Sequence, residues 1–248
     1  MATKARERGP ARPQVKVPPI EPPAAPTKRG VTLLGVGFCV AFVAMLFFAF
    51  VADVIREQEQ FALDTVGNAV LHAIASPALD ALMNLFTTIG SVPVVGFVFA
   101  VVAGFLLYRR HRAEAGFLAA AIGGSVALNS VLKLFYQRPR PPLPWANVLP
   151  DYSFPSGHSM NSLVFYLAIA LIIWGRAGRR TGSIAVVIAL VIAIAVGISR
   201  VYLGYHYVSD VVGGFAAGLA WLFVVSISFE LVPANWARRP WARRTTKR

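Results

Sequence analysis

Three short polar segments lie at the ends of long apolar runs: Lys133 to Pro141 (KLFYQRPRP), Pro155 to His158 (PSGH) and Ser199 to Asp210 (SRVYLGYHYVSD). They bring one lysine, three arginines, two histidines and one aspartate to places where apolar helices should reach a membrane surface. That set suits a phosphate. Cations would hold its non-bridging oxygens, one imidazole would attack phosphorus, and the other would exchange protons with the leaving group and with water. Phosphoryl transfer is catalysed mostly by positioning and charge stabilisation, so such a short inventory is sufficient.

Lys133 falls in the last turn of its run, and Arg140 follows in a loop dense in proline (Pro139, Pro141, Pro142, Pro144, Pro150). Those rings end the helix and restrict the loop, which would hold Arg140 in place. Alone, the pair reads as a snorkelling Lys and a juxtamembrane Arg. Pro155-Ser156-Gly157-His158 would open a helix whose free N–H groups and positive dipole end favour an anion. There Gly157 would let backbone approach a phosphate oxygen and the Ser156 hydroxyl would add a donor, although Ser156 is equally an ordinary N-cap. Arg200 closes one run. His206 and Asp210 open the next, four residues apart and so on one helix face. Asp210 would accept from the His206 Nδ1–H and leave Nε2 free, the orienting role of the carboxylate in a serine-protease triad. The catalytic set is therefore His206 as nucleophile, His158 as acid and base, and Asp210 as orienter. Lys133, Arg140, Ser156, Gly157 and Arg200 form the phosphate-binding set. No carboxylate cluster accompanies them, so no metal and no cofactor are expected. His72 and His111 fall outside the constellation.

The frame is apolar. Of 248 residues 56% are hydrophobic and 14% charged, against about a quarter charged in soluble domains. Six runs read as membrane spans, at about 31–52, 82–108, 113–136, 157–174, 183–200 and 208–232. Residues 53–81 interleave charges with Phe61, Leu63, Val66, Val70 and Ile74, which predicts an amphipathic segment on the membrane surface. The fold class is then all-α and integral to the membrane, a six-span bundle with that surface segment between the first two spans. A disordered, basic, proline-rich tail precedes it (1–30) and a basic tail follows it (233–248), flanking a domain at 31–232. The first run, about 22 residues long, is too long for the core of a cleaved signal peptide. Cys39, the one cysteine, lies in that run and reads as a buried thiol that can form no intramolecular disulfide.

The net charge of +13 raises nucleic acid as a partner, but the placement of the basic residues argues otherwise. Nineteen of the 24 lysines and arginines fall in the two tails and the basic loops at 109–112 and 176–180, all on one face of a six-span bundle. The positive-inside rule places that face, and both termini, in the cytoplasm and the three motifs on the outer face. The basic residues serve topology, and no nucleic-acid partner is expected.

At these motifs the chain resembles the type 2 phosphatidic acid phosphatase family, membrane lipid phosphatases related to the vanadium haloperoxidases. Lys133 with Arg140-Pro141 matches the family's K-x6-RP, Pro155 to His158 its PSGH, and Ser199-Arg200, His206 and Asp210 its SR-x5-H-x3-D. The resemblance covers roughly residues 60–230 and implies the same roles for the residues named above. Val208 stands where many relatives carry a proline. A lipid phosphate or diphosphate monoester is then the expected substrate, with undecaprenyl diphosphate, phosphatidylglycerophosphate and phosphatidic acid as bacterial candidates and the bacterial plasma membrane as the location. Hydrolysis would pass through a phosphohistidine. The alternatives are a phosphotransferase on the same scaffold and, further off, a transporter that only recognises phosphate. The preferred lipid and the oligomeric state are left open by the sequence.

Overall fold

The computed structural model describes residues 28–57, 61–146 and 149–231. Among these, eight helices occur and no strand: α1 (Lys28–Arg56), α2 (Ala62–His72), α3 (Pro77–Ile89), α4 (Val92–Tyr108), α5 (Arg112–Tyr136), α6 (Gly157–Ala177), α7 (Arg179–Tyr202) and α8 (Val208–Leu231). Five are long and apolar enough to span a membrane, and the bent pair α3–α4 makes a sixth span if it crosses as one. The protein is an all-α integral membrane protein, as composition predicts.

The core lies between α5, α6, α7 and α8. Phe117, Leu118 and Ala121 of α5 pack on Val164, Phe165 and Ala168 of α6, with Ala193 of α7 and Leu222 of α8 completing the cluster. The outward faces are equally apolar: Phe97 and Phe105 of α4 and Val187 and Val191 of α7 are all more than half exposed. In water those faces would be costly; in a bilayer they are the solvated surface. Close packing comes from small residues. A Cβ on Gly214 would lie 2.8 Å from the Ser156 carbonyl oxygen, and one on Gly218 would lie 3.2 Å from that of Met160. This seats the start of α8 directly on the start of α6, the close approach expected of a GxxxG pair.

Three expectations need correction. Residues 82–108 are not one straight span: α3 ends at Ile89 with Gly90 as its C-cap, Ser91 and Pro93 start α4, and the two helices meet at 48°. A helix-starting proline after a Gly-Ser step favours a new helix over continuation. The predicted amphipathic segment between the first two spans is present as α2 but is shorter than 53–81, because α1 runs on through Arg56 and α3 begins at Pro77 with Ser76 as its N-cap. Cys39 is exposed on α1 rather than buried. Residues 1–27 and 232–248, which hold most of the two predicted tails, lie outside the described residues.

Candidate active site

The antiparallel order of α5 to α8 gathers the C-terminal ends of α5 and α7 and the N-terminal ends of α6 and α8 at one end of the bundle. All three motifs meet there, and the basic loops at 109–112 and 176–180 fall at the other end. Each motif is placed by a local break. Gln137 ends α5 in the left-handed conformation, with its N–H on the Lys133 carbonyl. Gly204, at φ 75°, turns the chain after α7 in a conformation that only glycine adopts freely, and its carbonyl-side neighbours lead straight to His206.

His206 and Asp210 are almost wholly buried, and Asp210 Oδ2 lies 3.3 Å from the His206 Nδ1. Ser153 Oγ is also 3.3 Å from Nδ1 and donates its own proton to Asp210 Oδ2. The Tyr207 N–H donates to the same oxygen at 2.9 Å. On the far side of the ring, Arg140 Nη1 is 3.2 Å from Nε2. A guanidinium only donates, so Nε2 is the acceptor and the proton resides on Nδ1. Burial drives this imidazole down to about 4 despite the pull of Asp210, so it is neutral at pH 7.

The cations beyond Nε2 are less enclosed. Arg140 donates through Nη1 to the Tyr205 carbonyl at 2.5 Å and through Nη2 to Asp151 Oδ1 at 2.6 Å. Lys133 donates to Asp151 Oδ2 and, at 2.5 Å, to the Tyr152 carbonyl. Burial alone would raise the Asp151 carboxyl, but these two cations outweigh it and bring it down to about 2. An open cleft of about 640 Å³ lies beside Arg140 and Asp151, lined mostly by the loop residues Arg138 to Pro144, Ala146 and Leu149 to Tyr152, together with Gly204. Arg200 is buried from the α7 side, with Nη1 on Thr87 Oγ1 at 2.6 Å and its guanidinium 4.2 Å from the Tyr205 ring. Its buried Nε has no hydrogen-bond partner among the described residues. An N–H left dry and unpaired costs about 1–3 kcal/mol, so it marks a place for an oxygen.

His158, half-buried in the first turn of α6, lies within electrostatic reach of Lys133, Arg140, Arg200 and His206. Lys133, Arg140, His158, Arg200, His206 and Asp210 thus converge. Ser156 and Gly157 adjoin them in structural positions. Ser156 is fully buried and caps α6, accepting from Ser159 Oγ at 3.0 Å, while its N–H donates to the Asp210 carbonyl at 3.0 Å. A Cβ on Gly157 would come within 2.9 Å of Asn129 Oδ1, so close packing against α5 already accounts for the glycine.

Several residues here carry no role in the sequence reading. Arg138 points inward, where it meets Asp210 Oδ1 at 2.6 Å, Ser209 Oγ at 2.7 Å and Asp64 Oδ2 at 2.8 Å. Asp64 also accepts from the Ser209 N–H at 2.9 Å. One turn along α2, Asn68 Nδ2 donates to the carbonyls of Val201 at 2.8 Å and His206 at 3.1 Å. Helix α2 therefore turns its polar face to the site, while Leu63, Val66 and Val70 stand exposed on the other side.

Fold and site together define a membrane-embedded phosphate-ester hydrolase, and comparison with known proteins agrees. The sequence profile of the PAP2 superfamily matches residues 114–232. Phosphatidylglycerophosphatase B of Bacillus subtilis (strain 168) is 32% identical over 182 residues, covering 73% of this chain and 90% of the relative. Lipid A 4'-phosphatase of Porphyromonas gingivalis is 30% identical over 172 residues, 60% of this chain and 65% of that protein. Among solved structures, the transmembrane PAP2-type phosphatidylglycerolphosphate phosphatase from Bacillus subtilis superposes with a TM-score of 0.70 at 30% identity, over 78% of this chain and 97% of that one. LpxE of Aquifex aeolicus shares the fold at a TM-score of 0.54 and 24% identity, over 67% of this chain and 96% of that one. The chain belongs to the PAP2 superfamily.

Proposed function

We propose that the protein hydrolyses a lipid phosphate or diphosphate monoester at the outer face of the membrane, without a metal, through a phosphohistidine on His206. The observation that carries this reading is the disposition of the His206 ring. Nδ1 is backed by Asp210 while the lone pair of Nε2 faces the cations. Phosphate oxygens would displace Asp151 from Lys133 and Arg140 and meet the unpaired Nε–H of Arg200. Nε2 then attacks phosphorus in line, the P–O ester bond breaks, and the leaving oxygen keeps the electron pair and takes a proton from His158. His158, now a base, removes a proton from water as that water attacks phosphorus. The P–N bond breaks, and inorganic phosphate leaves with the imidazole restored. A lipid substrate is favoured because its tail can remain among apolar helices while its headgroup meets the cleft. The B. subtilis relatives make phosphatidylglycerophosphate the first candidate, ahead of undecaprenyl diphosphate and phosphatidic acid. The positive-inside rule supports cytoplasmic termini and an outward-facing site.

The test is phosphate release from these three lipids by purified protein in detergent. Release that stops in His206→Ala, survives a chelator and is inhibited by vanadate is expected. Full activity in His206→Ala would overturn the mechanism, and release only when an acceptor alcohol is present would make the protein a phosphotransferase.

A further inference from the structure

The motif that supplies Arg140 holds a second arginine two residues earlier, with Pro139 between them. Arg140 faces the cleft. Arg138 borders the same cleft, but its guanidinium is turned inward, with 9% of its side chain exposed, against 1% for Asp64 and 0% for Asp210. Its guanidinium spends Nη1 on Ser209 and Asp210 and Nη2 on Asp64, and the Tyr207 ring covers it at 4.2 Å. A phosphate would have to break these contacts to reach it, so Arg138 is poorly placed as a phosphate ligand. Its contact with Asp210 is selective. Arg138 takes Oδ1, which leaves Oδ2 to face Nδ1 of His206 beside Ser153 and the Tyr207 N–H.

We propose that Arg138 is a positioning residue that fixes the carboxylate plane of Asp210 behind the nucleophilic imidazole, and that Asp64 on α2 fixes Arg138 in turn. The proposal rests on His206 and Asp210 having the roles given above. Asp64 fits its part because it binds both elements that must stay in register. One oxygen accepts from the Ser209 backbone at the start of α8, and the other accepts from the Arg138 guanidinium and the Ser209 hydroxyl. The array holds two buried carboxylates for one cation, so each substitution also alters a charge balance. Arg138→Gln alone leaves two facing carboxylates unpaired, a strongly destabilising change for a buried network. Adding Asp64→Asn restores the original net charge of the array.

The test uses the full chain in lipid nanodiscs, the lipid phosphate that gives the fastest phosphate release, and vanadate as a probe of the phosphate site. Arg138→Gln is expected to lower kcat by about 10- to 100-fold, the scale for losing an outer partner of a reacting group. KM and vanadate inhibition should stay within about twofold, because binding cations are untouched. Arg138→Lys should recover part of the loss, and Asp64→Asn should lower kcat by less than Arg138→Gln. The double variant should be no slower than Arg138→Gln, since one residue acts through the other. It also serves if Arg138→Gln does not fold. A rise in KM and weaker vanadate inhibition in Arg138→Gln would make Arg138 a phosphate ligand and overturn the proposal. Losses that multiply in the double variant, or unchanged kcat in either single variant, would overturn it as well. His206→Ala, assayed alongside, separates the two readings: its activity judges the nucleophile, and the double-variant cycle judges Arg138.

Discussion

Two arrays of charge stand within one mouth of the bundle, and they are built differently. Behind His206, the chain Asp210–Arg138–Asp64 is buried, with the carboxylates of both aspartates and both Nη atoms of the guanidinium committed. On the phosphate side, Lys133 and Arg140 share Asp151, whose side chain is 53% exposed. The buried array fixes geometry, because breaking it strands charge in a dry place. The open one can exchange its anion at small cost, because water and substrate can both replace the carboxylate. In the proposed mechanism, one array would aim the attacking atom, and the other would keep a seat that a phosphate can take.

Substitutions can break this contrast in descending order of effect. Asp210→Asn should lower kcat by about 10³- to 10⁴-fold, the loss found when an orienting carboxylate leaves its histidine in the wrong tautomer. Single-turnover phosphate release would show it. Lys133→Ala and Arg140→Ala should each raise KM about tenfold or more, the equivalent of a lost charge-assisted hydrogen bond of about 1.5–3 kcal/mol. Asp151→Asn should act in the opposite sense. With its resident anion removed, vanadate should inhibit at about two- to fivefold lower concentration, a shift sized by exposed ion pairs. Because the Asp151 carboxyl titrates at about 2, that gain should be the same across the working pH range.

The smallest effect concerns stability against pH, and the two arrays carry opposite groups. His206 titrates at about 4 when folded, below the roughly 6.5 of a free imidazole. Between those values the unfolded chain binds more protons, so acid should lower the melting temperature from about pH 6.5 down to about 4. His206→Gln should flatten that slope. Asp151 is depressed from 3.8 to about 2. Its contribution is complete above its unfolded value and disappears only as pH falls through about 2, so Asp151→Asn should lower the melting temperature by the same amount across pH 5–8 and leave its slope with pH unchanged.

The sequence read the ends of the helices better than their course. Three motifs carry special residue types at fixed spacing, and short helix ends place such residues wherever the helices lead; Lys133, Arg140, His158, Arg200, His206 and Asp210 converge accordingly. The break at Gly90-Ser91 was hidden because apolar composition continues across it, and hydropathy does not register a bend. Asp64 and Asn68 were hidden for a different reason. They sit opposite an apolar stripe on α2, and such a face reads as facing water, whereas here it faces the bundle. Ser153, the hydroxyl beside His206, carries no pattern at all, since a lone serine in a loop has no spacing to betray it. Arg138 had a signal: an arginine at the end of the bundle opposite the basic loops.

The inverted orientation of α2 has a consequence for handling the protein. A helix that shows leucine and valine outward and aspartate and asparagine inward can keep its seat only while something amphiphilic covers its back. Its grip on the corner that bears His206 therefore depends on the medium as much as on the chain. Stripping the surrounding amphiphile should loosen the catalytic corner before the spans themselves come apart, so the boundary lipid belongs to the working machine.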